Sequence, residues 1–121
     1  MIKGRLNSFK NAFNGLKIFF QSETNAKIHL AAAFLAIGLG FFFEINYGEW
    51  GLIVLAITLV LGTEAMNTAV ETLTNLVSPD YHELAGRTKD VAAAAVLVAA
   101  IGSMIIGGIV FLPKIWIYFN F

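Results

Sequence analysis

The stretch from Gly62 to Asn75, GTEAMNTAVETLTN, sets two carboxylates and two side-chain amides into an otherwise apolar run. At about 100° per residue on a helix, Asn67 lies roughly 60° behind Glu64, Glu71 roughly 20° behind it and Asn75 roughly 20° ahead, so the four share an arc of about 80°. In a bilayer each charge costs ~2.5 kcal/mol or more to insert, and an ionisable residue there is a functional-site hypothesis by default. Three tasks suit such a stripe. The first is divalent metal binding: magnesium takes hard oxygen ligands, often one or two carboxylates plus substrate phosphates, and Glu71 with Glu23 are the candidates. The second is general base work, because a carboxylate withdrawn from water binds a proton more firmly and can take one from an alcohol; Glu64, the deeper group, is the better base. The third is ion or proton conduction. An interhelical hydrogen bond or oligomer contact would account for a lone carboxylate equally well, but it is a poorer account of four polar residues on one arc.

The elements that position this stripe are apolar helices. The chain has 121 residues, 58% of them hydrophobic and 13% charged, against roughly 25% charged in an ordinary soluble domain, which marks a small all-α membrane protein. Basic and acidic residues number eight each, so no net positive field recommends a nucleic-acid partner. The absence of cysteine excludes disulfides, thiolate metal sites and cysteine nucleophiles. Cations scattered through the first twenty residues do not make a cleaved signal peptide.

In chain order, residues 2–21 carry Leu6, Phe9, Phe13, Leu16 and Phe20 at helical spacing with Arg5, Lys10 and Lys17 between them. This predicts an amphipathic surface helix with its cations near anionic headgroups. The joint QSETN follows. Residues 26–45, 50–77 and 91–112 then read as three membrane helices of a single domain. The second is long enough that, with Trp50 at one interface, Glu64 falls about 21 Å along and Glu71 about 31 Å along, one in the core and one at the opposite surface. The stretch SPDYHELAGRTKD reads as a polar loop after Pro79. Gly102, Ser103, Gly107 and Gly108 in the third span permit close helix packing. His29, one turn into the first span, reads as an interfacial hydrogen-bonding residue. Lys3, Arg5, Lys10, Lys17, Lys27, Arg87 and Lys89 fall on one side of a three-span protein, which the positive-inside rule assigns to the cytoplasm together with the N-terminus, Glu23 and Glu71. No GxxxxGK motif is present, so a nucleotide would be held by some other arrangement.

The segment EAMNTAVETLTNLVSPDYHELAGRTKDVAAAAVLVA resembles the signature of the prokaryotic diacylglycerol kinase family, which includes diacylglycerol kinases and undecaprenol kinases. The family pattern runs E-x-x-N-S/T-A-x-E, then an aspartate, then Y-H-x-L and a K-D pair followed by small residues. SFKNAFNGL and ETNAKIHL are similar to the family's surface helix and first-span entry, so the resemblance covers nearly the whole chain. It implies a homotrimer in the bacterial inner membrane, with active sites at the cytoplasmic face between protomers and transfer of the γ-phosphoryl group of ATP to a lipid alcohol. By the same resemblance Glu64 is the base on the lipid hydroxyl and Asn67 supports the catalytic centre. Glu23 and Glu71 hold Mg2+ with the nucleotide phosphates. Asp80, Tyr81, His82, Lys89 and Asp90 match ATP-binding positions, with Arg5 and Asn11 contributing from the surface helix. Phosphoryl transfer needs chiefly positioning and charge neutralisation, which this set could supply. Two residues depart from the pattern: Asn75 stands where the family has aspartate, and Lys27 replaces the usual arginine, keeping the charge without the bidentate fork. The ETNAKIHL joint is closer to the undecaprenol branch. The rival readings are a small proton or cation conductor, for which the polar loop is superfluous, and a catalytically silent structural protein.

Overall fold

A computed structural model describes residues 1–120. The chain forms four helices: α1 (Ile2–Ser22), α2 (Thr24–Phe42), α3 (Tyr47–Val77) and α4 (Glu83–Asn120). The last three are each long and apolar enough to cross a membrane, making the protein an all-α membrane protein with an N-terminal helix ahead of three spans. α4 packs along much of α3, α2 packs on α3 more sparingly, and α1 touches the others only near its C-terminal end.

One extended residue, Glu23 (φ −109°, ψ 118°), separates α1 from α2. Its N–H donates to the Phe19 carbonyl at 3.1 Å and its own carbonyl accepts from the Lys27 N–H at 3.4 Å, so the same residue closes one helix and opens the next. The apolar stripe of α1 is exposed at Leu6, Phe9 and Phe13, as expected for a helix whose partner is the interface of a bilayer.

α2 ends on a Schellman turn. The Ile45 N–H donates to the Gly40 carbonyl at 3.1 Å and the Glu44 N–H to the Phe41 carbonyl at 3.3 Å, with Glu44 in the left-handed region at φ 51°, a place that glycine usually fills. The turn drives Ile45 into a core with Ile53, Val110 and Phe111. α3 then starts on a capping box: the Asn46 Oδ1 accepts from the Glu49 N–H at 2.8 Å while the Asn46 N–H donates to Glu49 Oε1 at 3.1 Å, satisfying two amides reciprocally. Glu49 Oε2 also lies 3.0 Å from Lys114 Nζ, pinning α4 to the same end. Above it Gly40 lies under the Trp50 ring; a Cβ there would come within 2.5 Å of it.

Hydroxyls within the spans are satisfied on their own helices, as hydrocarbon requires. Thr58, Thr63, Thr68 and Thr74 donate to the carbonyls of Val54, Leu59, Glu64 and Val70. Ser103 instead donates across to the Ala56 carbonyl at 3.1 Å, and the small residues around it let α3 and α4 approach closely. Outward-facing Leu, Ile, Phe and Met side chains along α2, α3 and α4 are exposed, the surface a lipid solvent takes in place of water.

The polar stretch after Pro79 differs from the expected loop. Only Ser78–His82 is non-helical, and α4 begins at Glu83, eight residues before the span read from the sequence. His82 starts it: its Nδ1 accepts from the Leu84 N–H at 3.1 Å and its carbonyl accepts from the Gly86 N–H at 3.0 Å. Arg87, Lys89 and Asp90 are therefore helical residues in the opening turns of α4. At the other end the helix runs through Pro113 to Asn120, with Pro113 withholding only the one hydrogen bond that the Ile109 carbonyl would accept.

Candidate active site

Depth along α3 separates the stripe into a dry part and a wet part. Glu64, at 2% exposure, is the one buried charged residue among those described. Its Oε2 has no hydrogen-bond partner but lies 3.7 Å from Nε2 of His29 on α2, whose side chain is 24% exposed. One turn on, the half-buried Asn67 donates from Nδ2 to Glu71 Oε1 at 3.3 Å, the i, i+4 contact that the helix repeat dictates. The Asn67 Oδ1 is buried without a partner. Two unmet oxygens on consecutive turns depart from the rule that buried acceptors in a packed protein find donors.

Further toward the end of α3, Asn75 Oδ1 accepts a hydrogen bond from Lys89 Nζ on α4. The departure from aspartate is thus placed: a neutral amide, not a carboxylate, holds the Lys89 ammonium. A hydrogen bond to a neutral acceptor orients a cation without quenching its field.

The remaining candidates lie on α1, at the α1–α2 joint and around the α3–α4 connection. Glu23 is half-buried at the α1–α2 joint, Tyr81 is 93% exposed, and Asp80, His82 and Asp90 are exposed at the α3–α4 connection and the start of α4. Arg5 and Asn11 are exposed on α1. Among the described residues, none of these makes a side-chain hydrogen bond or ion pair with Glu64, Asn67 or Glu71, and no group of three or more His, Cys, Asp or Glu converges as a metal-binding cluster. The donor chemistry nevertheless suits magnesium: Glu71 and Glu23 offer hard carboxylate oxygens, and the unpartnered Asn67 Oδ1 beside Glu71 could accept from a metal-bound water.

One residue of the centre was not singled out by sequence as part of the chemistry. By sequence His29 is an interfacial residue, and its contact with Glu64, 35 positions on, crosses between two helices. The available signal was an ionisable group on a neighbouring span at a depth comparable to that of Glu64.

The chain is similar to known proteins over most of its length. Residues 10–111 match the family described as prokaryotic diacylglycerol kinase. The chain is 40% identical over 108 residues to an undecaprenol kinase of Bacillus subtilis (strain 168), covering 89% of this chain and 88% of that protein. It is 36% identical over 107 residues to a diacylglycerol kinase of Haemophilus influenzae, covering 88% and 91%, and 30% identical over 94 residues to that of Escherichia coli (strain K12), covering 78% and 77%. A multi-pass helical membrane protein with a buried carboxylate on its central span, the chain belongs to the prokaryotic diacylglycerol kinase family of lipid kinases.

Proposed function

We propose that the protein transfers the γ-phosphoryl group of ATP to the hydroxyl of a membrane lipid alcohol, undecaprenol in preference to diacylglycerol, at the cytoplasmic face of the bacterial inner membrane. The observation that carries this reading is the buried Glu64 carboxylate, with one oxygen unpartnered, one turn from the Asn67–Glu71 pair. Glu64 accepts the hydroxyl proton as the lipid oxygen bonds to the γ-phosphorus; the bond from that phosphorus to the β,γ-bridging oxygen breaks, and ADP leaves. Glu71 and Glu23 would hold Mg2+, which when bound neutralises charge on the phosphate oxygens. Asn67 fixes the Glu71 carboxylate, and Lys89, oriented by Asn75, meets the phosphates as a point charge. Asp80, Tyr81, His82, Asp90, Arg5 and Asn11 surround the nucleotide. The working unit is a homotrimer whose sites are completed between protomers, a reading that rests on the resemblance to the family. Preference for undecaprenol is favoured by the ETNAKIHL joint and by the 40% identity to an undecaprenol kinase.

The test is to incubate purified protein with labelled ATP, magnesium and, in parallel, undecaprenol and diacylglycerol. Labelled undecaprenyl phosphate as the major product is expected; label in neither lipid would overturn the reading, and label chiefly in phosphatidic acid would overturn the lipid preference. Glu71→Ala in the same assay is expected to raise the magnesium concentration needed for half-maximal rate about tenfold or more, as loss of a charged ligand should. An unchanged magnesium dependence would remove Glu71 from the metal.

A further inference from the structure

Between α2, α3 and α4 lies a cavity of about 370 Å³, walled by aliphatic and aromatic side chains such as Ala33, Leu39, Ile57 and Phe111. The two hydrogen-bonding side chains on its wall are His29 and Ser103. The Ser103 hydroxyl is committed to the Ala56 carbonyl, so His29 is the polar group left to act there. Its Nε2 also lies 3.7 Å from the unpartnered Oε2 of Glu64. His29 therefore stands where an apolar space suited to a lipid chain meets the carboxylate that would receive the hydroxyl proton.

We propose that His29 is a positioning residue of the phosphoryl-acceptor site, its Nε2–H donating to Glu64 Oε2 and so aiming the other carboxylate oxygen at the lipid hydroxyl. The inference rests on the lipid kinase reading and on Glu64 as its base. At 3.7 Å the two atoms are about half an ångström beyond a hydrogen bond, a gap of the kind catalytic groups close when substrate arrives. A carboxylate free to rotate about its terminal torsion presents its lone pairs in many directions. Held through one oxygen, it presents the other in one direction, and positional order of this kind enters the rate of the chemical step rather than nucleotide affinity. A histidine suits the place because its ring spans the distance rigidly and offers an N–H whether neutral or charged.

The experiment compares His29→Leu, which keeps bulk and loses the donor, with His29→Gln, which keeps a donor, each alone and in the Glu64→Gln background. For His29→Leu, kcat is expected to fall roughly tenfold to a hundredfold, the loss of one hydrogen bond to a charged group, with KM for ATP within about twofold of wild type. His29→Gln is expected to recover most of the lost rate, and neither change should lower the residual rate of the Glu64→Gln protein, because His29 acts through that carboxylate. A His29→Leu enzyme with unchanged kcat would overturn the proposal, as would equal impairment of the Leu and Gln variants. The base assignment fails separately, and only if Glu64→Gln alone retains near wild-type turnover.

Discussion

Replacing Glu64 by glutamine should separate catalysis from stability. The substitution preserves shape within a site that is 2% exposed and removes the acid–base function and the charge facing His29. For a protonated imidazole at 3.7 Å, the attraction at an effective dielectric of about 20 is roughly 4.5 kcal/mol. The cost of keeping a carboxylate out of water offsets that gain. Because the His29 side chain is 24% exposed, its ring keeps contact with water in the glutamine variant, so no charge is left buried without a partner, which is what usually makes breaking a buried pair expensive. Unfolding stability in detergent should therefore stay within about 1 kcal/mol of wild type, while turnover falls roughly 10²- to 10⁴-fold, the range for loss of a general base. The assays are thermal or denaturant unfolding followed by helical circular dichroism, and labelled phosphate transfer to lipid under saturating ATP. Turnover within threefold of wild type would refute the assignment of Glu64 as base. A fall in activity matched by loss of the folded state would refute the claim that the carboxylate is retained for chemistry.

Three further outcomes follow from the geometry. Lys89→Met should raise KM for ATP about tenfold, the worth of one charge-assisted contact, with kcat within threefold; an unchanged KM in steady-state titration would remove Lys89 from the phosphates. Gly40→Ala should destabilise the fold by about 1–3 kcal/mol, because its methyl would overlap the Trp50 ring, which is held between helices and is no flexible chain end; unfolding midpoints measure this. Glu44→Gly should stabilise the protein by about 1 kcal/mol, since it relieves a left-handed residue, and the same midpoints should move upward with no change in kinase rate.

Much of the architecture was legible because hydrophobic length and spacing report membrane crossing directly, and the Glu64, Asn67 and Glu71 stripe follows from the helix repeat alone. Element ends were less so. The segment HELAGRTKD looked like a loop because polarity reports contact with water, and a helix that projects past the hydrocarbon is polar without being irregular. At 38 residues α4 spans about 57 Å, so its first turns have no reason to be apolar. α2 ends at Phe42, three residues before the span end that hydrophobicity predicts, because its Schellman turn carries glutamate where the usual signal is glycine. The His29–Glu64 and Lys89–Asn75 contacts depend on how neighbouring helices are rotated and offset, which is a property of packing between segments and has no period along either one.

Glu23 deserves a mechanical reading. With one extended residue between α1 and α2, the surface helix is a rigid lever about 31 Å long on a pivot a single residue wide. Arg5 sits about 27 Å from that pivot, so a turn of about 10° at Glu23 would sweep its Cα by about 5 Å, and that of Asn11 by about 3 Å. The reach of both residues toward the proposed nucleotide site would thus be governed by two torsion angles at a residue that is itself a candidate metal ligand, and stiffness at that one position would set how often the lever is in register.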